Sequence, residues 1–131
     1  SMGSTHTWLV APWENRLKCF VGNCCLPTYK AVQHYHILLC FPNFVPGLNA
    51  YGDTPDIAAL IAPRPLHLNF GELDYSSPIE EVKQALQLIN DAYIQQNASD
   101  NFSYYIEAGS EHILSKKMWD RTKAWFYKHL R

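Results

Sequence analysis

An acid and a histidine stand in turns that follow two short apolar stretches, Asp74 in Gly71-Glu72-Leu73-Asp74 and His112 in Gly109-Ser110-Glu111-His112. A carboxylate can hold an imidazole in one tautomer, and the ring can then accept a proton from a nucleophile. Ser1-Met2-Gly3 offers the hydroxyl for that third part. It matches the second half of Gly-x-Ser-x-Gly, the sharp strand-to-helix turn whose small neighbours let the serine oxygen stand clear of the backbone. A helix starting there would aim its first amides at a developing oxyanion, with the Met2 amide as one donor. Ser, then Asp, then His is also the chain order expected of such a set. Each residue alone says little, because an Asp in a turn commonly just shapes the turn, and Ser-Met is also a pair that tag removal leaves behind. Glu72 and Glu111 read as solvated charges, either of which could be argued as an alternative acid.

These residues need a frame that brings three distant turns together. Leu17 to Gly22 has the length and β-rich character of a buried strand, Leu66 to Phe70 alternates and ends at Gly71, and Phe102 to Ile106 reads as a third strand. Between them lie helical patterns: a short opening helix stopped by Pro12, a helix across Tyr29 to Leu39, a short one over Asp56 to Ala62, and a final one from Ser115 to Leu130. The clearest helix begins at Ser77-Pro78-Ile79-Glu80, where Ser77 is placed to cap and Glu80 to complete a capping box. Its apolar residues Ile79, Val82, Leu86, Ile89 and Tyr93 fall three or four apart and form one stripe that must be covered. Strands separated by helical crossovers imply a parallel sheet, the α/β class. In open parallel sheets, ligands and reactive residues collect beyond the carboxyl ends of the strands. Asp74 and His112 therefore belong on one rim. About residues 26 to 56 the pattern is irregular, with Pro42, Pro46, Gly47 and Gly52, and an excursion of that length is often functional.

Composition narrows the partners. The 131 residues are 47% hydrophobic and 18% charged with a formal net charge of -1, the profile of a single globular domain with no electrostatic footprint for nucleic acid. The most apolar stretch, His36 to Val45, is broken by Pro42 and far shorter than the roughly 20 residues of a membrane span. The four cysteines, Cys19, Cys24, Cys25 and Cys40, do not form paired Cys-x-x-Cys units, and His34 and His36 do not complete a zinc spacing. They are expected to be buried thiols packed like small apolar residues, with no metal site and no cofactor.

The segment Asp56-Ile57-Ala58-Ala59-Leu60-Ile61-Ala62-Pro63-Arg64-Pro65-Leu66, followed by Gly71 to Pro78 and then Gly109-Ser110-Glu111-His112, resembles α/β-hydrolases of the dienelactone-hydrolase-like and acetyl-xylan-esterase-like branch. The resemblance covers essentially the whole chain. It implies a serine esterase in which Ser1 is the nucleophile, Asp74 the acid and His112 the base, with Met2 in the oxyanion hole and Arg64 structural. The residues correspond to the last three strands of that fold, a three-stranded parallel sheet with flanking helices and hence a partial α/β-hydrolase domain over 1–131. The upstream strands, the Gly-x half of the elbow and a second oxyanion donor are not in the sequence. The loop Gly-Ser-Glu-His also departs from the Gly-x-His common in the branch.

Two functions follow as expectations. One is hydrolysis of a small-molecule carboxylic ester, acetyl or a related small acyl group, by the complete protein. The other is a catalytically silent truncated domain that self-associates or binds a partner through the open edge of its first strand. Neither the alcohol of the ester nor the cellular compartment is legible.

Overall fold

The computed structural model describes residues 1–130. Three parallel strands, β1 (Phe20–Asn23), β2 (Leu66–Gly71) and β3 (Phe102–Glu107), form one sheet in the order β1-β2-β3. The register aligns Phe20, Leu66 and Phe102 at one end and carries β2 and β3 in step to Gly71 and Glu107 at the other. Every β2 residue is buried, as expected of a central strand covered on both faces.

Alternation along β2 sorts the two faces. Leu66, Leu68 and Phe70 point into the main core, where they meet α1 (Met2–Val10) through Trp8, α3 (Thr54–Ala59) through Ala58, and α4 (Ile79–Gln95) through Val82, Ala85, Leu86, Ile89 and Tyr93. Those α4 residues follow the three-or-four spacing of the sequence, so the stripe covers the sheet as expected. His67 and Asn69 point the other way, toward α5 (Lys116–His129). This second face is a polar network. His67 Nδ1 lies 2.6 Å from Ser103 Oγ and its Nε2 3.0 Å from Asn69 Oδ1, and the Asn69 amide donates to Asn23 Oδ1 at 2.8 Å and Thr122 Oγ1 at 3.2 Å. An amide oxygen can only accept, so His67 carries its proton on Nε2 and receives the Ser103 hydroxyl at Nδ1.

Arg64 is a structural clamp. Its guanidinium donates to the carbonyls of Ala11, Glu14 and Leu17 just beyond α1, and it lies 5.0 Å over the Phe20 ring. The end of the opening helix is thereby tied to the start of β2. Contact between α1 and β1 is close at Gly22, where a Cβ would stand 2.5 Å from Ser4 Oγ.

Some boundaries differ from the sequence expectation. Pairing in β1 begins at Phe20, not Leu17, because residues 14–17 form a turn in which Glu14 is bridged by Arg16. The second helix, α2 (Tyr29–Tyr35), stops short of Leu39 where His36 turns left-handed at φ 51°. Ser77 does not cap α4, whose N-cap is Pro78: its hydroxyl is buried without a partner, and its amide, which Glu80 would accept in a capping box, donates instead to the Asp74 carbonyl at 3.1 Å. The capping box that does form is at α3, between Asp53 and Asp56. The excursion is held by the same Asp53, whose carboxylate accepts the Tyr29 amide at 2.9 Å, and by Tyr29 Oη donating to the Asn43 carbonyl at 2.8 Å. Among the described residues all four cysteines are free thiols; Cys24 and Cys25 are buried as expected, but Cys19 is half-buried and Cys40 is exposed, and no helix is long and apolar enough to cross a membrane.

Candidate active site

The loops after β2 and β3 meet beyond the carboxyl end of the sheet, where the strand-end rule places chemistry. Two backbone bonds zip them together: the Glu72 amide donates to the Glu107 carbonyl at 3.0 Å, and the Leu73 amide to the Ser110 carbonyl at 2.8 Å. The turn at Gly109, with φ at +67°, is fixed by its amide donating to Glu72 Oε2 at 2.9 Å. Glu72 is therefore a loop tie and not a second acid, while Glu111 is exposed at the pocket rim.

Asp74 is buried to 2% exposure, and its Oδ2 lies 2.8 Å from His112 Nδ1. A carboxylate accepts only, so Nδ1 carries the proton and Nε2 is left as the basic nitrogen. Ser76 completes the arrangement, and nothing in the sequence pattern singled it out. Its Oγ donates to Asp74 Oδ1 at 2.7 Å and stands 2.8 Å from His112 Nδ1, while its amide donates to Asp74 Oδ1 at 2.9 Å. The carboxylate thus has partners on both oxygens, which meets the requirement for a buried charge.

Ser1 is at the other side of the same pocket, about 510 Å³ in volume and lined by Ser1, Met2, Asn43, Asp74, Ser76 and His112, with Leu38, Leu39 and Leu73 supplying apolar wall. As the N-cap residue of α1 it gives its carbonyl to the amides of Ser4 and Thr5, at 2.8 and 3.2 Å, and its hydroxyl makes no cap bond. The Met2 amide belongs to the first turn, whose donors have no partner within the helix. Ser1 and His112 share the pocket without a direct hydrogen bond among the described residues. The placement of α1 depends on the excursion: the Ser4 hydroxyl and the Trp8 indole both donate to the Cys25 carbonyl, at 3.1 and 3.2 Å, and Thr5 donates to Asn43 Oδ1 at 2.7 Å.

Cysteine spacing offered no ligand set, yet the fold brings Cys24 beside Asp74 and His112. A Cys24 sulfur, an Asp74 oxygen and a His112 ring nitrogen lie within 4.8 Å of one another. Burial and the Asp74 charge push the Cys24 thiol up from its ordinary pKa, and burial does the same to Cys25.

The same arrangement of strands and helices recurs in solved esterases. The catalytic domain of a glucuronoyl esterase from Hypocrea jecorina superposes on 98% of the chain with a TM-score of 0.77 at 16% identity. The chain has the α/β-hydrolase fold. Methylesterase BT1017 also superposes on 98% of the chain, with a TM-score of 0.72 at 18% identity. In sequence, the chain is 32% identical over 109 residues to YtaP of Bacillus subtilis (strain 168), provisionally named a hydrolase. The match takes in 76% of this chain and 34% of YtaP, and the structural matches take in 42% of the glucuronoyl esterase and 28% of the methylesterase. No family model matches the sequence. What the chain holds is thus part of an α/β-hydrolase fold, about a third of the curated relative in length.

Proposed function

We propose that the full-length protein is a serine hydrolase of carboxylic esters, with Ser1 as nucleophile, His112 as base and Asp74 as the acid that orients it. The observation that carries this reading is the 2.8 Å bond from His112 Nδ1 to a buried Asp74, on a pocket that Ser1 also lines. With the proton on Nδ1, Nε2 takes the hydroxyl proton as Ser1 attacks the acyl carbon, then returns it to the departing alcohol. The resulting acyl-enzyme is cleared by water through the same base. The amide of Met2, at the positive end of α1, is placed to stabilise the oxyanion, and Ser76 keeps acid and base in register. No metal or organic cofactor enters this chemistry.

Support for an ester as substrate comes from the solved relatives, which include a methylesterase and a glucuronoyl esterase. The Leu38, Leu39 and Leu73 wall suits an acetyl or similarly small acyl group. A fluorophosphonate probe tests the nucleophile directly. The full-length protein should be labelled on Ser1, and labelling should disappear in Ser1→Ala and fall steeply in His112→Ala; labelling that survives Ser1→Ala would refute the assignment.

A second reading rests on β1, which pairs only with β2 and leaves its outer edge without a strand among the described residues. Under it the chain is a silent domain that pairs through that edge with a second copy. Sedimentation equilibrium separates the cases: a concentration-dependent dimer of this chain favours edge pairing, and a monomer at all concentrations contradicts it.

A further inference from the structure

We propose that Cys24, Asp74 and His112 form a binding site for a thiophilic divalent cation, zinc or a metal like it, and that occupancy of this site switches the hydrolase off. The binding half stands on geometry alone; the inhibitory half rests on the function proposed above.

Three features of the site favour such a cation. First, the set is chemically mixed: a soft thiol, a borderline imidazole and a hard carboxylate lie within 4.8 Å of one another, and the thiol and imidazole favour zinc over magnesium or calcium. Second, the thiol is held in place by an unusual backbone. Cys24 follows β1 directly with φ at 48°, and Cys25 has φ at 137°, left-handed conformations that cysteine seldom adopts. The Cys24 amide still pairs to the Asn69 carbonyl at 2.8 Å, so the kink is fixed by the sheet, and Sγ is aimed at the loop that carries His112, donating to the Ile113 carbonyl at 3.3 Å. Third, the site has an open side. The thiol and carboxylate are buried, but the His112 side chain is 41% exposed at a pocket through which a water could supply the fourth ligand.

Zinc bonds sulfur at about 2.3 Å and imidazole nitrogen or carboxylate oxygen at about 2.0–2.2 Å, so ligand atoms in a tetrahedral site stand roughly 3–4 Å apart. The 2.8 Å bond between Asp74 and His112 must open slightly, and the sulfur must approach. On binding, the Cys24 S–H proton leaves to solvent and the sulfur lone pair makes the metal bond. His112 binds through Nδ1, whose proton passes by way of solvent to Nε2 so that the ring stays neutral, and Asp74 binds as carboxylate, so that with the thiolate two anionic ligands offset the dication in a buried place. Inhibition follows from the same atoms: the acid and base that must hold each other are pulled onto the metal, and no group remains to take the Ser1 proton.

Cobalt(II) chloride is the probe for binding, titrated into this chain and followed by absorbance. The expected result is a thiolate-to-cobalt charge-transfer band with the strong visible bands of tetrahedral cobalt, bleached by added zinc. The bands should be lost in Cys24→Ser and His112→Ala and kept in Cys40→Ser. Cys24→Gly, which relieves the left-handed backbone, replaces Cys24→Ser if circular dichroism shows that variant unfolded. Absence of the thiolate band, or its persistence without Cys24, overturns the site. For the inhibitory half, zinc should block ester hydrolysis by the full-length protein at a concentration at least tenfold lower than in the Cys24 variant; equal sensitivity overturns it. Absence of hydrolysis before any metal is added counts against the hydrolase reading alone, since the cobalt spectrum is read without substrate.

Discussion

The bare Cα of Gly71 lies against the main-chain carbonyl of Glu111, and this contact sets how close His112 comes to Asp74. A Cβ at position 71 would run into the carbonyl oxygens of both Ser110 and Glu111, and into Glu111 C at 2.9 Å. Those atoms are backbone and cannot swing aside as a flexible side chain can. The close approach lets the loop after β3 fold over the end of β2, so that two residues 38 positions apart are joined by a 2.8 Å hydrogen bond.

Gly71→Ala should therefore act on the site more than on the fold. Overpacking of this kind costs about 1–3 kcal/mol. The displaced 110–112 loop should lower ester turnover by more than tenfold while the sheet persists. A thermal melt read beside kcat shows whether both occur; an alanine variant with wild-type turnover would mean that the loop does not set the acid–base distance.

Ser76 is expected to work through its neighbours. In Ser76→Ala the Asp74 carboxylate loses its hydroxyl donor and His112 loses a second acceptor, and hydrogen bonds to charged groups are worth about 1.5–3 kcal/mol. That predicts a fall in kcat of roughly tenfold to a hundredfold with KM little changed, because the bonds lost are those to Asp74 and His112. Ser76→Thr, which keeps the hydroxyl, should recover most of it. A change confined to KM, or no recovery by threonine, would place Ser76 in substrate binding or in simple packing instead.

The sheet and its main helix could be read from sequence because their signals are local. The stripe from Ile79 to Tyr93 covers Leu66, Leu68 and Phe70 as its spacing requires, and Asp74 and His112 were legible because each follows a strand. What escaped notice depends on contacts across the fold. Cys24 joins the site from another strand end, and Ser76 is an ordinary turn serine until the loop after β3 closes on it. Ser77 has the pattern of a cap, yet the Asp74 turn claims its amide, and the hydroxyl is left buried without a partner. Here the geometry of the site overrides a local helix signal.

Acid should weaken the fold through the face opposite the core. Burial, opposed in part by the bond to Asn69, holds His67 below its ordinary pKa of 6.5, and Arg121 adds to the shift. The unfolded chain takes up that proton near pH 6.5, so below this pH it binds more protons than the folded chain and stability falls as pH falls. His129, lowered by burial and Lys128, adds in the same direction. Urea denaturation at pH 7.5 and at pH 5.5 should show the loss, and His67→Gln should flatten it; an unaltered slope in the glutamine variant would assign the acid sensitivity to other groups.

Ser1, Asp74 and His112 should act as one unit, and a double-mutant cycle on the full-length protein shows whether they do. Turnover of a p-nitrophenyl acetate substrate is measured for Ser1→Ala, His112→Ala and the pair together. Each single change should cut kcat by roughly 10⁴-fold or more, and the double variant should be no slower than the worse of the two, because a nucleophile without its base and a base without its nucleophile are equally idle. Single variants that keep substantial turnover, or losses that multiply in the double variant, would contradict the account.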